Sequence, residues 1–452
     1  MLIEKILDFS SLYKMLPDSG IVLVCVSGGA DSMCLLEAML HISHDRGFTV
    51  AAAHFNHGLR GEESDRDEAF VENYCLKCGV PFYPGRGDVA LYAKNNRLSI
   101  ETAARDMRYS FFYGLAETVG ASRIATAHNA DDNTETMLIN LTRGAGANGL
   151  SGIPPVRGAL IRPMLGVTRG EVELFLQERH IPFVEDSTNS DDVFTRNKIR
   201  HHIIPVLKEI NPRLHEVTTA SAQLLREDER MLSELADLFI SDHCAGLTVR
   251  IGDLMNLPFS VSSRVIRKLY GGTLSYPHVK AVLELCQKPG SSVKLSLPGK
   301  TVYKDFDLIV FEPNEQSQTE GFEQIFPVDG DNTIILSAEL KMSCKSIVFD
   351  SKMAKFNKTL TSFIFKSVDT YGKITVRPRH EGDRMKLLGH EGTKSLKKLF
   401  IERRIPARKR SFIPVIADSK GVLAVYSIGM GDRAIAQHGD LALQISFEPL
   451  VL

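Results

Sequence analysis

Ser27-Gly28-Gly29-Ala30-Asp31-Ser32 places two adjacent glycines, two hydroxyls and one carboxylate in six residues, a set suited to holding an anion together with a counter-cation. Glycines let backbone N–H groups come close to a phosphate, and a helix starting just beyond them turns its positive end to the same anion. Asp31 adds a carboxylate that can help place Mg2+. A kinase-type phosphate loop carries Gly-x-x-x-x-Gly-Lys-Ser/Thr, whereas this turn contains no lysine and is a different device. A second acidic group follows in Ala127-His128-Asn129-Ala130-Asp131-Asp132-Asn133-Thr134-Glu135-Thr136, where Asp132 and Glu135 stand at i and i+3 and share a helix face. Asn129 or Asp131 can cap that helix. The acids then either do no more than favour the helix dipole or hold Mg2+ or a substrate ammonium group. Arg105 and Arg108 lie three apart, and Arg196 and Arg200 share one helix face. Their planar guanidinium groups suit phosphate or a stacked nucleobase, with plain surface ion pairs as the alternative.

These residues need a scaffold that gathers them. The apolar run Ile21 to Val26 reads as a buried strand, Met33 to His44 as a helix, and Phe48 to Phe55 and Ser122 to Ala127 as further strands. Between the last two lie the helical patterns Glu62 to Lys77 and Glu101 to Thr118. Strands alternating with helices at this spacing predict βαβ crossovers and a doubly wound α/β domain with a parallel sheet. Such sheets bind ligands at the carboxyl ends of their strands, which is where the phosphate turn and the acidic group fall. His54-Phe55-Asn56-His57-Gly58-Leu59-Arg60 follows the second strand; with no third ligand nearby, its histidines are better placed to line a nucleotide cleft than to hold a metal.

Three patterns are decoys. Gly144-Ala145-Gly146-Ala147-Asn148-Gly149 spells a dinucleotide fingerprint but follows the helical stretch Thr134 to Thr142, so it reads as a loop. Gly299-Lys300-Thr301 lacks the first glycine of a kinase-type loop, since Lys294 stands there. Cys75 and Cys78 have C-x-x-C spacing but no second pair, and the seven scattered cysteines suit reduced thiols rather than a disulfide framework.

The length of 452 residues allows two to four domains, and 43% hydrophobic with 24% charged residues is ordinary for a globular protein. Met1 to Leu16 is amphipathic, with Glu4, Lys5, Asp8 and Lys14 breaking any signal-peptide core, and no run of about 18 apolar residues occurs. A cytoplasmic protein without a membrane partner is expected.

The motifs now support a resemblance. Ser27 to Ser32 resembles the pyrophosphate-binding loop of the N-type ATP pyrophosphatases (the PP-loop superfamily), which cleave ATP between the α and β phosphates and transfer AMP to an oxygen. The order of His54 to Arg60, Glu101-Thr102-Ala103-Ala104-Arg105-Asp106-Met107-Arg108-Tyr109, Ala125 to Thr136, Arg143 to Gly146 and Thr195-Arg196-Asn197-Lys198-Ile199-Arg200 is similar to that of the bacterial tRNA(Ile)-lysidine synthetases, over about the first 212 residues. This resemblance implies adenylation by ATP of the C2 carbonyl of the wobble cytidine in a CAU anticodon of tRNA(Ile), then displacement of AMP by the ε-amine of free lysine. It implies ATP contacts at Ser27, Gly28, Gly29, Ala30, Asp31 and Ser32, with His54 and His128, and Mg2+ at Asp31 and Asp132. Catalytic roles would fall to Asp31, Asp132, Glu135 and Arg200, and RNA contacts to Arg105, Arg108, Arg196 and Arg200. Since free lysine arrives with an ammonium of pKa near ~10.4, a carboxylate pair at Asp132 and Glu135 could bind it and take its proton.

Beyond Asn211-Pro212 the pattern changes. Arg213 to His243, Leu257 to Tyr270 and Pro277 to Gln287 read as helices, and Ser292 to Leu297 and Leu308 to Phe311 as strands. The expected division is a catalytic domain over 1–212, a small mainly helical domain over 213–314, and a C-terminal α+β domain over 321–452, with Glu312 to Glu320 as linker. Arg377 to Arg410 carries 12 basic against 4 acidic residues in a chain of net charge −1, the footprint of phosphate-backbone binding. Its segments Arg377 to Arg384 and Lys394 to Lys398 also resemble the family's C-terminal tRNA-binding domain, so Arg384, Lys397 and Lys398 are expected on tRNA. A homodimer is left open as an assembly. The rival activity is another tRNA-base adenylating enzyme such as a tRNA thiolase, which Cys75 and Cys78 support poorly.

Overall fold

The computed structural model describes residues 1–59, 61–185, 195–313, 324–326, 332–337, 340–350, 360–367 and 374–449. Two compact units are formed, Met1–Met231 and Leu232–Leu452. No helix among the described residues is long and apolar enough to cross a membrane.

The first unit contains strands β1 Gly20–Cys25, β2 Phe48–Asn56, β3 Phe82–Arg86, β4 Ala121–Ala125, β5 Val156–Arg157 and β6 Leu160–Ile161. Its helices are α1 Leu2–Leu12, α2 Ala30–His44, α3 Glu62–Cys78, α4 Val89–Asn96, α5 Ile100–Val119, α6 Ala130–Thr142, α7 Ala147–Leu150, α8 Arg169–Glu178, α9 Thr195–Lys198 and α10 Ile204–Ile210. A π-helical turn, Ile199–Ile203, joins the last two, and α11 Leu214–His243 starts in this unit. The sheet order is β3-β2-β1-β4-β6-β5, parallel except for the hairpin of β5 and β6.

Alternation along the strands sorts side chains between two cores. Val22, Val24, Val50 and Ala52 face α1, α2, α3 and α8, while Leu23, Ala51, Ala53 and Phe55 face Phe112 and Ala116 of α5. Both faces of β1 are thus covered, which is why its sequence is an unbroken apolar run. The chain moves outward from β1 to β3 on one side and returns at β4 on the other, so β1 and β4 flank the switch point of the sheet. The expected strand over Ser122 to Ala127 ends at Ala125, because Thr126 to Asn129 leave the sheet to enter α6. The glycine-rich decoy at 144–149 does follow a helix, α6, but only 144–146 form the expected loop, since Ala147–Leu150 wind into α7; Cys75 and Cys78 both stand on α3.

In the second unit, helices Phe259–Tyr270 and Tyr276–Gln287 share a core with a five-stranded antiparallel sheet that includes Ser292–Leu297, Lys300–Asp305 and Leu308–Pro313. Glu312 belongs to that last strand, and residues 314–320 of the expected linker lie outside the described residues. The C-terminal part packs a four-stranded antiparallel sheet, Leu340–Val348 and Leu441–Pro449 at its centre, on a second sheet containing Ile374–Arg377, Val415–Asp418 and Gly421–Val425. Arg408 fastens the two parts, donating to Asp305 at 2.8 Å and to Glu312.

Candidate functional site

The Ser27–Ser32 turn is braced by its own side chains. Ser32 Oγ accepts from the Ser27 N–H at 3.1 Å and donates to the Gly29 carbonyl at 2.9 Å. Gly28 has φ +93°, a left-handed conformation that a side chain would strain. Gly29 is the N-cap of α2 and supplies no capping side chain, so the first-turn N–H groups of α2 remain available to an anion. Asp31 stands in that first turn, where its carboxylate accepts from Arg169 Nη1 at 2.7 Å and from Asn129 Nδ2 at 3.0 Å. Burial pushes the Asp31 carboxyl up from its ordinary value and the neighbouring Asp132 adds to the rise, against the pull of Arg169.

Across the switch point, Asn129 caps α6. Its Oδ1 accepts from the Asp132 N–H at 2.9 Å, while Asp132 Oδ2 accepts from the Asn129 N–H at 3.2 Å, a reciprocal capping box. Asp132 and Glu135 do share a face, but they are not equivalent. The Glu135 side chain has 0% exposure, and both its oxygens are taken: Arg196 Nε donates at 2.7 Å and Arg200 Nε at 2.6 Å. An open carboxylate pair for an ammonium group is therefore not what this arrangement presents. Asp132 Oδ1 lies 3.6 Å from Arg200 and 3.9 Å from Arg196, and its edge still borders the cleft. Arg196 stands on α9 and Arg200 in the π-helical turn, a local widening that recurs at functional sites.

Two cavities meet at Ser27, Asp31 and Ser32. One of about 330 Å³ is bounded by Phe55, Arg108, Tyr109, Phe112, His128 and Asp132, and its aromatic wall suits a base. The other, of about 940 Å³, is bounded by Gly29, Asp131, Arg169, Glu173, Arg200 and Lys208 and is richly charged. His54 borders neither: it is buried, its Nδ1 2.9 Å from the Val26 carbonyl, and it braces the approach to the turn while His57 lines the smaller cavity. His128 does line that cavity, its Nδ1 3.1 Å from Thr126 Oγ1. Burial brings its imidazole down to about 4. A depressed histidine adds stability that is present above the unfolded value and lost as pH falls through the folded one. The ring of His128 should accordingly stay neutral through the mildly acidic range, and its NMR-detected titration midpoint should lie near 4; a midpoint near the ordinary histidine value contradicts this geometry.

No group of three or more His, Cys, Asp and Glu among the described residues is arranged to hold a metal by itself. Mg2+ usually keeps waters and uses one or two carboxylates with substrate phosphates, a demand that Asp31 and Asp132 can meet.

Sequence reasoning missed Arg169, Arg162 and Tyr109. Arg169 opens α8, and Thr168 with Glu171 forms a capping box whose Thr-x-x-Glu spacing was readable. Tyr109 collects cations: the Arg105 guanidinium carbon lies 5.2 Å and that of Arg108 5.9 Å from its ring centroid, while Arg162 is buried and donates to the Pro154 carbonyl at 2.5 Å. In the second unit the basic cluster is less free than its count suggests. Arg377 is buried on Asp383 at 2.9 Å, Lys394 pairs with Glu402 at 2.9 Å and Arg404 with Asp307 at 2.6 Å. Arg384, Lys397, Lys398, Arg403 and Lys409 are exposed and make no ion pair among the described residues.

Two protein families match parts of this chain. A family described as a PP-loop domain matches residues 4–207, and one described as the TilS substrate C-terminal domain matches residues 374–447. The tRNA(Ile)-lysidine synthase of Caldanaerobacter subterraneus subsp. tengcongensis is 32% identical, covering 96% of this chain and 94% of its own. That of Geobacillus kaustophilus is 33% identical over 93% of each chain. That of Clostridioides difficile is 30% identical over the whole of both.

Proposed function

The chain belongs to the tRNA(Ile)-lysidine synthase family, an ATP-using ligase family that forms a C–N bond on tRNA, and from that premise we propose the chemistry of its cleft. The wobble cytidine of a CAU anticodon enters the smaller cavity, and its C2 carbonyl oxygen attacks the α phosphate of ATP. The new O–P bond replaces the bond to the β phosphate, and pyrophosphate leaves into the Ser27–Ser32 turn, where backbone N–H groups meet the charge that develops on it. The ε-amine of free lysine, having given up its ammonium proton, then forms the C2–N bond while the C2–O bond breaks and AMP departs with that oxygen. Asp31 and Asp132 would hold Mg2+, which supplies charge neutralisation at the phosphates when bound.

The roles of the side chains follow from their surroundings. Glu135 holds Arg196 and Arg200 at the cleft, so those guanidinium groups approach substrate in one fixed orientation. Arg108 lines the smaller cavity beside Tyr109, and Arg105 lies over the same ring. The charged larger cavity, with Asp131 and Glu173 near Arg169 and Lys208, offers partners for both ends of a zwitterionic amino acid. Cys25 also borders the smaller cavity, but burial pushes its thiol up and away from the thiolate that sulfur chemistry needs, so the thiolase alternative gains nothing from it.

The observation that carries the proposal is the shared wall: Ser27 and Asp31 of the phosphate turn border the same cavity as Arg108, Tyr109 and Asp132. It is tested with purified protein, Mg2+-ATP, radiolabelled lysine and transcripts of tRNA(Ile) with CAU or with the wobble C replaced by U. Label in RNA that needs ATP and the wobble C is expected. Pyrophosphate release that depends on tRNA without lysine incorporation would instead point to another nucleophile. The exposed cations of the second unit give a separate result. Lys397→Glu with Lys398→Glu should weaken tRNA binding at least roughly tenfold and flatten its salt dependence, with ATP binding intact. Unchanged tRNA affinity in a filter-binding assay would remove these lysines from the interface.

A further inference from the structure

On α6 the residues Asp132 and Glu135 each follow a polar neighbour, Asp131 and Thr134, and both neighbours meet one side chain, His215 in the first turn of α11. His215 Nε2 lies 2.9 Å from Asp131 Oδ1, and Nδ1 lies 2.9 Å from Thr134 Oγ1. The imidazole and Thr134 are both buried, so the ring reaches α6 from behind the cleft and touches no substrate. We propose that His215 is a positioning residue for the ligase reaction: it locks α6 at two points, so that Asp132, Glu135 and the two arginines held by Glu135 meet the substrates in one geometry. This rests on the reading of the cleft as the ligase site.

The hydrogen-bonding capacities of the partners agree with such a lock. Although burial acts to raise the Asp131 carboxyl, the bonds from His215 and from the backbone N–H at the start of α8 bring it below its ordinary value. An ionised carboxylate only accepts, so the Nε2 facing it carries a hydrogen. The Thr134 hydroxyl can donate or accept and thus suits Nδ1 in either form of the ring. Thr134 Oγ1 also donates to the Ala130 carbonyl at 2.9 Å and lies 2.7 Å from Thr218 Oγ1, one turn further along α11. Two residues of α11 therefore grip the N-terminal part of α6. Lys208 lies farther from Asp131, at 3.8 Å, and makes no comparable bridge to Thr134. Helix ends fray, and a rigid ring fixed between positions three residues apart removes that freedom where Asp132 and Glu135 stand. A shift of about 1 Å in a reacting geometry can cost ~10²-fold in rate, which gives the lock its leverage.

His215→Leu, which removes both contacts, and His215→Gln, whose amide can still donate toward Asp131, test the assignment in the full chain, well below the melting temperature of each variant. We expect kcat for lysine incorporation to fall roughly thirtyfold or more in His215→Leu, with Mg2+-ATP and tRNA affinities within about twofold of wild type, and His215→Gln to recover part of the loss. A kcat in His215→Leu within about threefold of wild type overturns the assignment. Parallel loss of ATP affinity, tRNA affinity and kcat means that His215 only supports the fold and also overturns it. Should His215→Leu fail to fold, His215→Gln decides against His215→Asn, whose shorter amide reaches toward Thr134 instead: higher kcat in His215→Gln supports the lock on Asp131, and equal or lower kcat overturns it. A wild-type chain that incorporates no lysine overturns the ligase reading itself.

Discussion

Glu135→Gln should lower ATP-dependent lysine incorporation into tRNA by roughly a hundredfold or more, because the substitution keeps the shape of the side chain while removing the charge that fixes two arginines. Among the described residues, neither guanidinium has another carboxylate closer than the 3.6 Å and 3.9 Å contacts to Asp132, so both shift when Glu135 is neutral. Stability should fall as well. Breaking a buried ion pair by removing one partner costs ~3–5 kcal/mol, and the loss here should lie below that range because the arginines are about 40% exposed and water screens them. Labelled-lysine assays and thermal melts measure both effects. Near-normal turnover in the variant would show that Arg196 and Arg200 hold their places without it.

Asp31→Asn is expected to separate function from stability. Turnover should fall by about 10²–10³-fold, since the carboxylate nearest the departing pyrophosphate is lost. The melting temperature at neutral pH should nevertheless stay the same or rise. Burial, with Asp132 nearby, raises the folded-state value of Asp31 above its unfolded one despite Arg169 and Asn129. A carboxyl shifted in that direction binds its proton more readily in the folded chain, so the ionised form costs stability at neutral pH, and the cost disappears as pH falls below the unfolded value. The stability difference between variant and wild type should shrink accordingly on acidification. A variant that is less stable at neutral pH and stays so in acid would mean that the Arg169 contact outweighs the burial of Asp31.

Strand–turn–helix order around Ser27 to Ser32 was legible because it depends on neighbours in the chain: an apolar run, two glycines, then a helix start. The helices over Glu62–Cys78, Ile100–Val119 and Leu214–His243 were legible for the same reason, since periodicity and end signals are local. Strand pairs as short as Val156–Arg157 with Leu160–Ile161 carry too few residues for any period, and Lys300–Asp305 holds its place through a hairpin with Leu308–Pro313 rather than by its own alternation. The basic cluster was visible as a count, but the count could not tell the buried Arg377 from the exposed Lys397.

The sequence by itself determined which chemical groups are present and which local elements carry them. Glycines with a helix start make a phosphate turn, and Asn129 with Asp132 makes a helix cap, because both are contacts between residues a few positions apart. Partnership was decided by the tertiary structure alone. Glu135 is spaced as an open acid yet is buried by Arg196 and Arg200 some sixty positions away, and Asp31 meets Arg169 across 138 positions. Such pairings carry no local pattern: they exist because the parallel sheet brings the ends of β1 and β4 together, while α8 packs on α2 and α9 and the π-helical turn pack on α6. Burial then converts a carboxylate that could have met solvent or substrate into one that holds an arginine in place.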